Sequence, residues 1–171
     1  MSRVLLGVFF IFALTAHAGV ASARTTVDHH DSAQRERRCM ADAIYHEARG
    51  ESRQGKIAIG NVIMNRVNSG AFPSTICGVV YQRNANSRGC QFSWACKRNT
   101  RIAHPHLWED ALIIAAEVID GRHRDYSRGA IYFNNVPFRN KRLTARIGNH
   151  YFYNNRSNVN RFVEVAQARG D

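Results

Sequence analysis

The chain has 171 residues, 44% of them hydrophobic, and a formal net charge of +11. That length buries one ordinary core, which excludes both a miniature scaffold dependent on dense cross-links and a chain of several domains. Twenty-four basic against thirteen acidic residues steer polyanions over long range, and the candidates are nucleic acid, anionic lipid headgroups or an acidic wall polymer.

Residues 1–23, MSRVLLGVFFIFALTAHAGVASA, place Arg3 before an apolar run and end in Ala21-Ser22-Ala23. This is the layout of a secretory signal peptide; Thr15 and His17 interrupt the run, which argues against a membrane span, and an uncleaved anchor is the alternative. Export to the periplasm, envelope or exterior favours the wall polymer over nucleic acid as partner. Residues 24–38, RTTVDHHDSAQRERR, lack helical or strand periodicity and read as a flexible lead-in to one domain over 39–171. Cys39, Cys77, Cys90 and Cys96 all follow the signal peptide, and an even count in an exported chain favours disulfides. Three connectivities are open; closing Cys90 on Cys96 would leave Cys39 with Cys77. A tetra-cysteine zinc site needs short C-x-x-C spacings, which are absent.

Met40, Ala43, Ile44, Glu47 and Ala48 fall on one face of a helix that Gly50 stops, so Glu47 sits on the apolar side. A second helix is expected over Gln54–Val67, with Ala58, Ile59, Val62, Ile63 and Val67 inward and Gly70 and Pro73 closing it. From Ile76 to Arg101 short apolar pieces, ICGVVYQ and CQFSW, alternate with polar RNANSRG, which reads as loops with a small hairpin. A third helix is expected over Leu107–Ile119, with Trp108, Ala111, Leu112, Ala115 and Ile119 as its stripe and Gly121 as its stop. GAIYFNN and NHYFYNN read as strand-like aromatic runs, and VNRFVEVA as a short final helix.

A carboxylate on an apolar helix face loses water when the helix docks, which disfavours its charge and lifts its pKa toward the range of a general acid. The bland alternative for Glu47 is an ion pair that ties down the turn. Glu51, four residues on but beyond Gly50, is a possible second carboxylate or a brace within that turn.

Taken together, AIYHEARGES, GKIAIGNVIMNRV, FPSTICGVVYQ, CQFSWAC, GAIYFNN and IGNHYFY closely resemble the SleB/CwlJ-type cell wall hydrolases, in the same order over about Cys39–Tyr153. The resemblance implies an α+β, mainly helical lysozyme-like domain with a small irregular β region. It also implies cleavage of peptidoglycan glycan strands between N-acetylmuramic acid and N-acetylglucosamine, often as a lytic transglycosylase. The first glutamate of the family's EARGE matches Glu47. Aromatic and amide side chains for a sugar cleft are expected from Gln91, Ser93, Trp94, Tyr132, Asn134, His150 and Tyr153. Lys97 and the lack of a histidine in GAIYFNN depart from the family's pattern and bear on subsite preference. The expected enzyme is a monomer without cofactor or metal.

Two other classes compete. A zinc hydrolase would enlist His46 and Glu47 with His104 and His106, but position 50 is glycine and H-E-x-x-H is incomplete. A basic, non-catalytic wall-binding module would explain the charge and leave Glu47 on its apolar face without a reason.

Overall fold

The computed structural model describes residues 20–83, 89–97 and 101–155, with side chains from residue 30 onward. Its elements are helices α1 (Val20–Glu47), α2 (Arg53–Asn68), α3 (Ile76–Val80) and α4 (Pro105–Ile119), a 3-10 turn over Ser93–Cys96, and strands β1 (Tyr132–Asn134), β2 (Arg142–Ile147) and β3 (His150–Asn154). The architecture is the expected α+β, mainly helical one. The signal-peptide reading falls largely on residues outside the described ones, and the final helix over VNRFVEVA wholly so.

The 24–38 segment is not a flexible lead-in: α1 continues through it. Ala33, Gln34, Arg35, Glu36, Arg37 and Arg38 are good helix formers. The run hides its periodicity because residues 30–38 are exposed or half-buried, with Ala33, Gln34 and Arg37 facing Ala116 and Ile119 across an open cavity. Glu36 also reaches α3, accepting from the backbone N–H groups of Ile76 at 2.6 Å and Cys77 at 3.1 Å. Within ICGVVYQ, residues 76–80 are helical rather than extended, because the Thr75 hydroxyl accepts from Gly78 N and starts a turn. The expected hairpin survives as a single bridge between Arg83 and Cys90.

Helix α1 stops at Glu47 because Gly50 takes a φ of +98°, a backbone state that side-chain-bearing residues avoid. Ser52 then caps α2 by accepting from Gly55 N. Helix α2 is buried along Ile57, Ala58, Ile59, Val62 and Ile63 and serves two cores. On one side Ile57 and Ile63 join Met40, Ile44 and Tyr45 of α1, Val79 and Val80 of α3, and Ile114 and Val118 of α4. On the other, Ala58, Ile59 and Val62 meet Ala48, Ala130 and Phe152 beneath the sheet. The α4 stripe differs from expectation: Ala111, Ile114, Ala115 and Val118 are buried, whereas Trp108, Leu112 and Ile119 are half-buried.

The sheet has the order β1-β3-β2, all antiparallel, with Tyr132 opposite Tyr153 and Ile147 opposite His150. β2 had no counterpart in the sequence reading; a bulge between Leu143 and Ala145 lets Thr144 donate to Ser127 O at 2.7 Å. Two disulfides join Cys39 to Cys77 and Cys90 to Cys96, one of the three open connectivities. The first ties α1 to α3. The second closes the loop that carries Gln91, Ser93 and Trp94.

Candidate functional site

The seam between the helical part and the sheet opens as a cleft of about 420 Å³, lined by Glu47, Arg66, Gln91, Ser93, Phe133, Asn134 and His150 among others. Glu47 enters from the last position of α1. Burial lifts its carboxyl above the ordinary glutamate value, and two groups resist the lift: the indole of Trp94 and the cation of Arg66. Trp94 Nε1 donates to Glu47 Oε1 at 2.8 Å. Trp94 itself is held by stacking on His46, at 4.5 Å between ring centroids, and on Phe92 at 5.9 Å.

Arg66 was not among the residues expected at the site. It is 2% exposed, donates through Nε to Ile131 O at 2.8 Å, and lies between the rings of Phe72 and Phe92 at 5.3 and 5.5 Å. Its Nη1 is buried without a partner among the described residues. Burial pulls its pKa down to about 10, so it stays cationic at neutral pH. Arginine is retained there because the two rings and the carbonyl replace the water it gives up.

Glu51 does not line the cleft. Its side chain turns to the β2–β3 tip, where it accepts from Asn149 Nδ2 at 3.0 Å and lies 3.6 Å from His150 Nδ1. A Cβ on Gly148, whose φ is +55°, would run into the Glu51 carboxylate. Glu51 is a brace for that turn. Through it, His150 is set edge-on to Phe133 at 5.4 Å. Burial lowers the His150 pKa despite Glu51, so the ring is neutral near pH 7.

Of the residues expected to bind sugar, Gln91, Ser93, Asn134 and His150 share the cleft. Trp94 stands behind Glu47. Tyr132 and Tyr153 are elsewhere: Lys141 Nζ covers the Tyr132 ring at 3.7 Å. Tyr153 is buried against Phe138 and accepts a hydrogen bond from its N–H. His46 stacks on Trp94 rather than joining His104 and His106, and among the described residues no three histidine, cysteine or acidic side chains converge as metal ligands.

A carboxyl whose proton is favoured by burial, in a cleft lined mainly by polar side chains such as Gln91, Ser93 and Asn134, can deliver that proton to a bond of a polar ligand. Residues 50–153 match the Cell Wall Hydrolase family. The chain belongs to this family. The match takes in Glu51 and the sheet side of the cleft, with Glu47 just upstream of it. Among solved structures, this cell wall hydrolase is similar to the catalytic domain of the Bacillus cereus SleB protein. That likeness has 28% identity and a TM-score of 0.55, covering 71% of this chain and 91% of that one. It is also similar to the catalytic domain of the germination-specific lytic transglycosylase SleB from Bacillus anthracis, at 27% identity and a TM-score of 0.54, covering 70% and 93%. A spore cortex-lytic enzyme from Halalkalibacterium halodurans is 31% identical over 125 residues, 67% of this chain and 33% of that protein. One from Oceanobacillus iheyensis is 50% identical over 46 residues, 27% of this chain and 17% of the relative. The aligned parts therefore cover a third or less of these two relatives.

Proposed function

We propose that this cell wall hydrolase is exported and cuts the glycan strands of peptidoglycan between N-acetylmuramic acid and N-acetylglucosamine, as a lytic transglycosylase with Glu47 as its one acid and base. The observation that carries this reading is the poise of Glu47. Burial favours its proton, while the Trp94 N–H and the Arg66 cation favour its carboxylate and offset part of that lift. Protonated Glu47 gives its proton to the glycosidic oxygen, and the bond from that oxygen to the muramic C1 breaks. The resulting carboxylate, steadied by Trp94 and Arg66, then takes the proton of the same sugar's C6 hydroxyl as that oxygen attacks C1. An anhydro ring closes, no water is consumed, and Glu47 regains its proton for the next cycle.

A hydrolytic route ordinarily uses a second carboxylate in the cleft. The engagement of Glu51 with Asn149 and the β2–β3 tip supports the one-carboxylate route. Gln91, Ser93 and Asn134 are the polar contacts for the sugars, with Phe133 and His150 as the apolar wall.

The test is muropeptide release from purified sacculi. Glu47→Gln retains size and an acceptor for Trp94 but has no acidic proton, so cleavage falls by about two to four orders of magnitude while circular dichroism stays that of the parent. Anhydro-muramic ends in mass spectra of the parent's products support the mechanism. A folded Glu47→Gln that cuts like the parent refutes the assignment, and reducing muramic ends refute the transglycosylase route.

A further inference from the structure

A second cavity, about 440 Å³, opens on the β2 side of the sheet, with Gln54, Arg124, Asp125, Tyr126, Arg128 and Arg146 in its wall. Its electrostatics are one-sided. Among the described residues no carboxylate forms a salt bridge with Arg124, Arg128 or Arg146. Asp125, the acid in the wall, is engaged by its own loop and by Asn65 of α2. Its Oδ1 accepts from Ser127 N at 2.8 Å and Ser127 Oγ at 2.6 Å, and its Oδ2 from Asn65 Nδ2 at 2.9 Å and Gly129 N at 2.7 Å.

Two of the guanidiniums are also held in place. Arg124 lies over the Tyr126 ring at 5.1 Å and Arg146 over the Tyr151 ring at 4.9 Å, which orders each plane while leaving its N–H edge to a ligand. Arg128 has a left-handed backbone, φ 56°, which is unusual for a long side chain; the Asp125 loop enforces it, with Arg128 N donating to Asp125 O at 3.3 Å.

We infer that this cavity binds the carboxylates on the peptide arms of peptidoglycan while the glycan occupies the Glu47 cleft, an inference that rests on the substrate proposed above. The two sites flank one hairpin tip, where Ile147 of the second cavity pairs with His150 of the cleft. From β1 across β3 to β2 is two strand spacings, about 10 Å. An extended peptide covers that in about three residues, and planar guanidiniums meet carboxylates with paired hydrogen bonds.

The test compares parent and an Arg124→Gln/Arg128→Gln/Arg146→Gln variant on sacculi and on glycan strands stripped of peptides by an amidase. Loss of three exposed charge pairs lowers the kcat/KM ratio of peptide-bearing over stripped substrate about tenfold. A charge-matched control, Arg35→Gln/Arg38→Gln/Arg139→Gln, keeps the parent's ratio. In parallel, titration calorimetry shows the parent binding a synthetic tripeptide with free carboxylates, the Arg124/Arg128/Arg146 variant losing it, and a short DNA oligonucleotide failing to compete. An unchanged ratio, a control that loses as much, or an oligonucleotide that competes as well as the peptide overturns the inference. If the parent cuts neither substrate, the Glu47 reading fails, and peptide binding by calorimetry still decides this one.

Discussion

Replacing Trp94 by Phe keeps a ring to stack on His46 and Phe92 and deletes the N–H that Glu47 accepts at 2.8 Å. Hydrogen bonds to charged groups contribute about 1.5–3 kcal/mol, and 1.36 kcal/mol corresponds to one pKa unit. Glu47 keeps contact with the open cleft, so the lower end applies, about one unit. The sign follows from which form is bonded: the indole stabilises the carboxylate, so its loss raises the Glu47 pKa further. On the proposed mechanism Glu47 starts each cycle protonated, and the alkaline limb of kcat/KM against pH should therefore move up by about one unit in Trp94→Phe. The rate on the plateau falls because the carboxylate is less well oriented as a base. The assay is sacculus turbidity loss between about pH 4 and pH 9, wide enough to bracket a raised carboxyl. A limb that stays put or moves down, with the rate lowered equally at every pH, means that Trp94 is a mere packing residue and the poise of Glu47 lies elsewhere.

Glu47→Gln should raise Tm at neutral pH. The folded pKa of Glu47 is raised by burial, so the native state loses stability as pH rises from the ordinary glutamate value through that higher one, and Gln removes the loss; below about pH 4 the two proteins should melt alike. Gly148→Ala puts a Cβ on a left-handed backbone and into the Glu51 carboxylate, and urea denaturation should show it less stable by about 1–3 kcal/mol. Cys39→Ala/Cys77→Ala opens a loop of sequence separation 38 and should cost about 4 kcal/mol. Cys90→Ala/Cys96→Ala, with separation 6, should cost about 2 kcal/mol yet lose more activity, because that loop positions Gln91, Ser93 and Trp94; the opposite order in turnover assays would contradict the site.

Much of the acid's surroundings was legible from periodicity. Met40, Ala43, Ile44, Glu47 and Ala48 are spaced as one helix face, and burial follows that spacing whatever the rest of the chain does. Arg66 was missed, although it stands three and four positions after Ile63 and Val62 on the inward face of α2. Arginines on such faces commonly carry their charge out to water. That this one does not depends on Ile131 and Phe92, which the fold brings from far along the chain. The phase of α4 was lost because it is apolar nearly all round, so its period does not select a side. β2 was missed because RLTARI alternates weakly and leaves Leu143 exposed; an edge strand like this is defined by its partner. Tyr132 and Tyr153 could not be separated from Asn134 and His150 by residue type; they pair with each other at the end of β1 and β3 away from Asn134 and His150, and which end of a ladder meets the cleft is set by how the sheet docks.

Helix α2 holds the segment leading into β1 through Asn65 and Arg66, whose side chains bond Asp125, Ser127, Ala130 and Ile131, and through Asn61, which takes the Tyr126 N–H. Every one of these clasps joins residues 60 to 65 positions apart. Long chain loops close slowly, whereas helices form from neighbours, so the clasps follow the collapse of α1 and α2. The wall opposite Glu47, with Phe133, Asn134 and His150, therefore depends on contacts that close long loops. A chain in which these clasps are broken keeps Glu47 on α1 but loses the groove wall opposite it.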